Sequence, residues 1–408
     1  MTDQITIKEY VEIRKFLDEN LIYGAELERS IPVPINTLRT ALKSNADTTE
    51  FHKADFVCKT DGSVHGGNEI VLSGKKFDFR TLYQKLRLFE DVATKLNADP
   101  FHESCSTHLS FLTLHRIKID GSFAKNIFQI CRAFAPALCY MTGATKGFYS
   151  RQTIMQFADP RLNISPMEKH IGGVKNSTGK YSLCNISKTA LWDMDNTTGI
   201  FVEFRSPDGI RIPSVVSALF FLHKAIIYNA LKLSIKGVQS VESICGSEAD
   251  WQHNKLLADD TIGKNITNNC TDMLRAQSKQ LLRYLMPELK EMQDSDLFIP
   301  ILEKLADKSI SLRYTDNPNA DLNKLNIEID KEMLNGKRVK IKELNETEEK
   351  LLQELLSEVV VATSITSLKI MLANKYSCTQ RTIENAFAGI EEQMGKRICI
   401  VEQQVMFR

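Results

Sequence analysis

The sequence predicts an α+β fold, with an antiparallel sheet, helices behind one face and a wet, charged site in front of the other. Three observations predict it. Helical and strand patterns are mixed through about residue 235 rather than alternating in regular β-α-β units. Several of the strands carry polar residues on one face only. Two of them place charges two residues apart in otherwise apolar runs, in Gly199-Ile200-Phe201-Val202-Glu203-Phe204-Arg205 and in Ile22-Tyr23-Gly24-Ala25-Glu26-Leu27-Glu28. Residues two apart on a strand share a face, so Glu203 pairs with Arg205 and Glu26 with Glu28, while Val202, Phe204, Ala25 and Leu27 turn toward a core.

Taken in order, residues 4–19 show helical spacing at Ile7, Tyr10, Val11, Phe16 and Leu17. The Glu-x-Glu strand follows, then a short helix over 36–45. Residues 54–63 read as a strand ending at Asp61-Gly62, a strong turn signal, and 68–74 return as its partner. Glu69 lies on that short apolar return strand. A helix is expected over 78–98, with Leu82, Leu86, Phe89 and Val92 in one stripe. In Cys105-Ser106-Thr107-His108-Leu109-Ser110-Phe111, period two puts Ser106, His108 and Ser110 on one face. A single apolar helix over 121–141, a loop over 142–152, a strand over 181–187 with Asn185, the Glu-x-Arg strand and an apolar helix over 213–235 complete this half. Residues 240–345 read as helical, with Asn335-Gly336 as a hairpin-type turn. Further on come a helix from the capping-box pair Asn345/Glu348 to Val361, one over 365–375, one from Ser377/Gln380 to about Gly395, and a strand at Arg397–Val401. That outline is winged-helix-like. The expected division is 1–240, 241–345 and 346–408.

Composition narrows the function classes. Fifty-two basic against 51 acidic residues leave a formal charge of +1, which gives no bulk attraction to nucleic acid or anionic lipid. Residues 364–408 carry six Lys or Arg against four Glu, too weak a charge for the winged-helix outline to favour nucleic acid. No apolar run reaches the roughly 20 residues of a bilayer span, so no membrane association is expected. Nine scattered cysteines without Cys-x-x-Cys, and an N-terminus lacking a basic-then-apolar signal, lead to the expectation of a reducing, cytoplasmic protein.

Glu26, Glu28, Glu69, Glu203 and His108 are polar residues on strands that otherwise look apolar. Four carboxylates and an imidazole facing one cavity require cations. Oxygen ligands suit Mg2+, and an imidazole adds tolerance of Mn2+. Arg151 and Arg205 supply the forked donors that fit phosphate oxygens. Metals with arginines are the parts phosphoryl transfer uses. Three weaker signals are set aside. Gly173–Lys180 resembles a phosphate loop, but its spacing is one residue too long and Tyr181 replaces Ser or Thr. Cys105 faces away from His108, against a thiol nucleophile, and His102 reads as a loop residue.

Gly24-x-Glu26-x-Glu28, Lys59-x-Asp61-Gly62-Ser63 leading to Glu69-Ile70-Val71, Thr107-His108-Leu109-Ser110, Tyr149-Ser150-Arg151, Asn185 and Glu203-Phe204-Arg205, in this order, resemble the amidoligase family of ATP-dependent carboxylate–amine ligases related to glutamine synthetase and glutamate–cysteine ligase. The resemblance covers about residues 20–235. It implies a curved antiparallel sheet of the glutamine synthetase type, binding ATP with Mg2+ or Mn2+. It implies that Glu28 and Glu69 hold an ion near the acyl acceptor, and that Glu26, His108 and Glu203 hold one at the ATP phosphates. Arg151 and Arg205 would then steady the transferred phosphoryl group, and Asp61, Ser63 and Asn185 would line the substrate end. The implied activity is amide formation between a small-molecule, peptide or protein carboxylate and an amine, through an acyl phosphate. The loops 142–152 and 171–180 are candidate lids. Two features depart from the family pattern: a further glutamate near Glu69 has no counterpart, and Cys105-Ser106 replaces a glycine-rich lead into the histidine. The alternatives are a non-catalytic binding module on the same sheet and a metal-dependent amide hydrolase.

Overall fold

The computed structural model describes residues 4–45, 56–61, 67–75, 78–99, 105–113, 121–143, 184–185, 200–246, 268–335, 365–375, 383–384, 386–387, 398–401 and 404–407. The chain divides into two units, Met1–Lys337 and Arg338–Arg408.

The first unit is built on β1 (Leu21–Ser30), β2 (Phe56–Thr60), β3 (Gly67–Lys75), β4 (Thr107–Thr113), β5 (Cys184–Asn185) and β6 (Phe201–Phe204). They form one open sheet in the order β2-β3-β1-β4-β6-β5, antiparallel at each pairing. The alternation seen in the sequence is realised. Ala25, Leu27, Ile70, Leu72, Leu109, Phe111, Val202 and Phe204 are buried on the back face. The α+β expectation holds, with helices against that face.

The helix α1 (Ile7–Asn20) starts at a capping box. The Thr6 side chain accepts from Glu9 N, and Glu9 Oε2 accepts from Thr6 N. Next come α2 (Ile35–Asn45) and α3 (Phe79–Lys95), the latter capped by Asp78. The stretch expected as one helix over 121–141 is two, α4 (Gly121–Ala133) and α5 (Ala135–Thr142). Phe134, at φ −112°, breaks it just before Pro136, whose ring and missing N–H prevent an uninterrupted helix.

The core is centred on α6 (Pro213–Leu233), in which only Lys224, Lys232 and Leu233 escape burial. Phe220 packs on Tyr23 and Phe111 of the sheet, with centroids 5.8 and 5.6 Å away, and Phe221 on Phe79 of α3 at 5.2 Å. The expectation that no apolar run reaches the length of a bilayer span needs one amendment. The helical segment Pro213–Lys236 is long and apolar enough to cross a membrane, but 94% of its apolar window is buried inside the protein. Its length is spent on core contacts, because both its sheet side and its outer side are covered.

The outer cover is α7 (Val241–Cys245), α8 (Asn268–Glu291), α9 (Ser295–Asp307), α10 (Ile310–Asp316) and α11 (Leu322–Met333). Asp330 of α11 accepts from Ser214 N and from the Tyr83 hydroxyl, at 2.9 Å each, and so ties the start of α6 to α3. Asn335, expected in a hairpin turn, instead follows the end of α11 at φ 52°, a left-handed conformation asparagine tolerates; Gly336 lies outside the described residues.

The second unit contains α12 (Ile365–Lys375) and a hairpin of β7 (Ile398–Val401) with β8 (Gln404–Phe407). The sequence pattern predicts β7 but not β8. Lys369 of α12 pairs with Glu384 at 3.8 Å, and Leu368, Leu372, Ile383 and Phe387 are buried. The helix expected over 345–361 lies outside the described residues.

Candidate active site

Antiparallel partners project to the same face, so the register fixes which residues meet. Lys59, Glu69 and Glu28 stand in one row across β2, β3 and β1. Glu26 is opposite His108 across β1 and β4. Gly24, Ser110, Glu203 and Asn185 form a third row from β1 through β4 and β6 to β5. The side chains expected to converge on one face are therefore brought there by four adjacent strands.

The tightest cluster is Glu26, His108 and Glu203, each offering one ligand atom within 4.8 Å of the others. His108 Nδ1 is 2.9 Å from Glu26 Oε2 and 3.8 Å from Glu203 Oε1. His108 and Glu203 are buried, while the Glu26 side chain is a third exposed. The hydrogen bond from His108 holds the Glu26 carboxyl below its ordinary range. Desolvation opposes this, and the charges of His108, Arg205 and Lys59 add to the lowering.

Arg205 follows β6 and turns back onto it, with Nη1 donating to Glu203 Oε2 at 2.9 Å. Its Nε is buried and has no acceptor among the described residues. A guanidinium with one edge anchored and a buried donor unmatched is suited to an anion. At the other end, Glu69 accepts from Lys59 Nζ at 3.2 Å, and Glu28, 7% exposed, accepts from Ser106 Oγ at 2.5 Å. Ser106 Oγ also lies 3.2 Å from His108 Nε2.

The donor set of two carboxylates and an imidazole nitrogen fits Mg2+ or Mn2+. Without a cation or a proton between them, three acceptor atoms would face one another there. Asp61 follows β2, two residues beyond Lys59, with its N–H donating to Gly67 O at 3.3 Å. Asn185 stands on the edge strand β5, across from Glu203. Arg151, Ser63, His102, the phosphate-loop-like segment and most of both candidate lids lie outside the described residues. Cys105 is buried, which pushes its thiol up to about 11, the wrong direction for a thiolate nucleophile.

Two groups escaped the sequence reading. Ser106 falls on the polar face that period two predicts, with no role assigned by the sequence. Arg29, next to Glu28 on β1, points backward into the core, where Nε and Nη2 donate to Glu90 Oε1 at 2.9 and 2.6 Å. Arg211 Nε donates to Glu90 Oε2 at 2.8 Å. The available signal was parity: Arg29 is in step with Leu27 and Ala25, and Arg211 stands between Ile210 and Ile212 in an apolar approach to α6.

No family model matches the sequence, and no curated protein sequence matches it. Among solved structures the chain is similar to one of the complex between the prokaryotic ubiquitin-like protein Pup and its ligase PafA. There the identity is 8% and the TM-score 0.38, covering 95% of this chain and 88% of that one. It is also similar to a GmaS/ADP complex, with 12% identity and a TM-score of 0.29, covering 70% of this chain and 74% of that one.

Proposed function

We propose that this protein is an ATP- and Mg2+- or Mn2+-dependent carboxylate–amine ligase, forming an amide through an acyl phosphate. The observation that carries the reading is the arrival of Glu26, His108 and Glu203 from three adjacent strands at one point, with the Arg205 guanidinium beside them. The ordered motifs shared with the amidoligase pattern supply the reaction class.

A divalent cation held by Glu26, His108 and Glu203 would neutralise phosphate charge during transfer. Glu203 has a second task, because its other oxygen anchors Arg205 and fixes which guanidinium edge is left for an anion. Arg205 then stabilises negative charge on the transferred phosphoryl oxygens, with Arg151 as its partner. Glu28 and Glu69, side by side on β1 and β3, form a second acidic position, where a further cation or the incoming amine would sit. Asp61, Ser63 and Asn185 would border the substrate end. Phosphoryl activation is needed because a carboxylate is a poor electrophile, and the acyl phosphate must be kept from water. The substrates proposed are a small-molecule, peptide or protein carboxylate and an amine, handled in the cytoplasm.

The test is product mass spectrometry with parallel phosphate release. The full chain is incubated with ATP, Mg2+ and a mixture of amino acids and polyamines. Phosphate release that needs both a carboxylate and an amine, with a product formed by loss of water, is the expected result. Arg205→Ala should lower it by roughly 10²–10³-fold. Amide cleavage without ATP would make the protein a hydrolase. Cation binding without turnover would make it a binding module.

A further inference from the structure

The Cys105-Ser106 lead into His108 places a hydroxyl between the two acidic positions. Ser106 is 3% exposed and held from both sides. Its carbonyl accepts from Glu28 N at 3.0 Å, and it bridges to Asp208 of the turn after β6. That turn sits close because Gly209 has no Cβ; one added there would lie 2.8 Å from Cys105 Cβ. The hydroxyl therefore has little freedom to move.

Proton accounting then fixes the direction of each bond. A carboxylate only accepts, so the single Ser106 proton goes to Glu28 Oε2 at 2.5 Å. What Ser106 Oγ offers His108 Nε2, 3.2 Å away, is a lone pair. Nε2 must then carry a hydrogen. The opposite ring nitrogen, Nδ1, is the one aimed at Glu26 and Glu203, and the hydrogen it donates to Glu26 Oε2 at 2.9 Å is the one a bound cation would replace.

We propose that Ser106 is a positioning residue that holds His108 as its Nε2–H tautomer and so presents Nδ1 as a cation ligand between Glu26 and Glu203. Outer partners of ligating histidines generally fix tautomer and ring orientation in this way. Here the fixing group is a serine whose own proton is committed to Glu28. The proposal rests on reading the Glu26–His108–Glu203 cluster as a divalent-cation site.

The experiment uses the full chain and the metal alone. Mn2+ affinity is followed by electron paramagnetic resonance of the free ion, and the His108 tautomer by 15N NMR of histidine-labelled, Mg2+-loaded protein. Wild type should bind Mn2+ and show a protonated Nε2 at His108. Ser106→Ala should weaken Mn2+ binding by roughly 10–100-fold and mix the two tautomers, and Ser106→Thr, which keeps the hydroxyl, should restore both. If Ser106→Ala does not fold, Ser106→Cys, a poorer hydrogen-bonding partner of the same shape, carries the same expectation at smaller amplitude. Unchanged affinity and tautomer in a folded Ser106→Ala, with Glu203→Gln abolishing binding, would overturn the role of Ser106 and leave the cation site standing. Wild type failing to bind Mn2+ would overturn both.

Discussion

Two buried charged clusters grow from the same strand, one on each side of it, and they differ in donor balance. Behind the sheet, Glu90 accepts from both Arg29 and Arg211. The remaining guanidinium donors go to the carbonyls of Glu28, Ile210 and Ala98, to Thr94 Oγ1 and, at 3.4 Å, to Asn323 Oδ1. Two positive charges and one negative one are matched by neutral acceptors, and the cluster joins β1, α3 and the lead into α6. In front of the sheet, the carboxylates of Glu26 and Glu203 converge on His108 Nδ1, while Arg205 keeps a buried donor without an acceptor among the described residues. Burial of charge is common to both. Convergence of two carboxylates on one imidazole nitrogen, beside a donor unmatched among the described residues, distinguishes the front cluster from the back one, and such an arrangement suits a cation and an anion.

If this contrast is right, Glu90→Gln has the largest effect on stability. Removing the shared acceptor charge leaves two buried guanidiniums, and a loss of about 3–5 kcal/mol in urea unfolding is expected. Glu203→Gln should show the opposite profile. Its amide can still accept from Arg205, so unfolding free energy should stay within about 1 kcal/mol of wild type. ATP-dependent phosphate release should fall by roughly 10²–10³-fold. The stabilisation added by Mg2+, about 2.7 kcal/mol at a hundred times Kd, should disappear. An equal loss of stability in both variants would erase the distinction.

His223 on α6 offers a third case, a buried ionisable group with a structural role. Its ring packs 4.4 Å from Phe204, Nδ1 bonds the Leu219 carbonyl at 2.7 Å, and Nε2 has no partner among the described residues. Burial lowers its pKa to about 4 from 6.5. The unfolded chain therefore binds the extra proton between these values. This contribution is complete above pH 6.5 and is lost as pH falls toward 4, amounting to roughly 3 kcal/mol. His223→Leu should flatten the stability–pH curve over that window relative to wild type, without changing the Mn2+ affinity. The smallest effect is expected for Lys59→Ala. Its ion pair with Glu69 is half exposed, so stability should change by less than about 1 kcal/mol in a thermal melt.

The front cluster was more legible in the sequence than the back one, for a physical reason. Glu26, Glu28 and Glu203 interrupt apolar strands at period two, a local pattern that announces a polar face. Arg29 and Arg211 hide within apolar surroundings, and Glu90 lies in a helix where glutamate is unremarked. Their partnership spans 61 residues between Arg29 and Glu90 and 121 between Arg211 and Glu90, and no local periodicity encodes it. The α4/α5 break shows the same limit on a smaller scale. Pro136 was visible, but whether it began a new helix or kinked an old one depended on packing around Phe134.

The sequence by itself determined which side chains share a face of each strand, because the alternation of a β-strand is a property of the backbone alone. It also determined that α6 would be apolar on nearly all sides. Tertiary structure decided that α6 is a core helix, since only neighbours on every side can bury such a surface. It decided the register as well, placing Glu26 beside His108 and Ser110 beside Glu203. Register is set by turns, bulges and the packing of the opposite face. A slip of one residue would have scattered the same residues across both sides of the sheet.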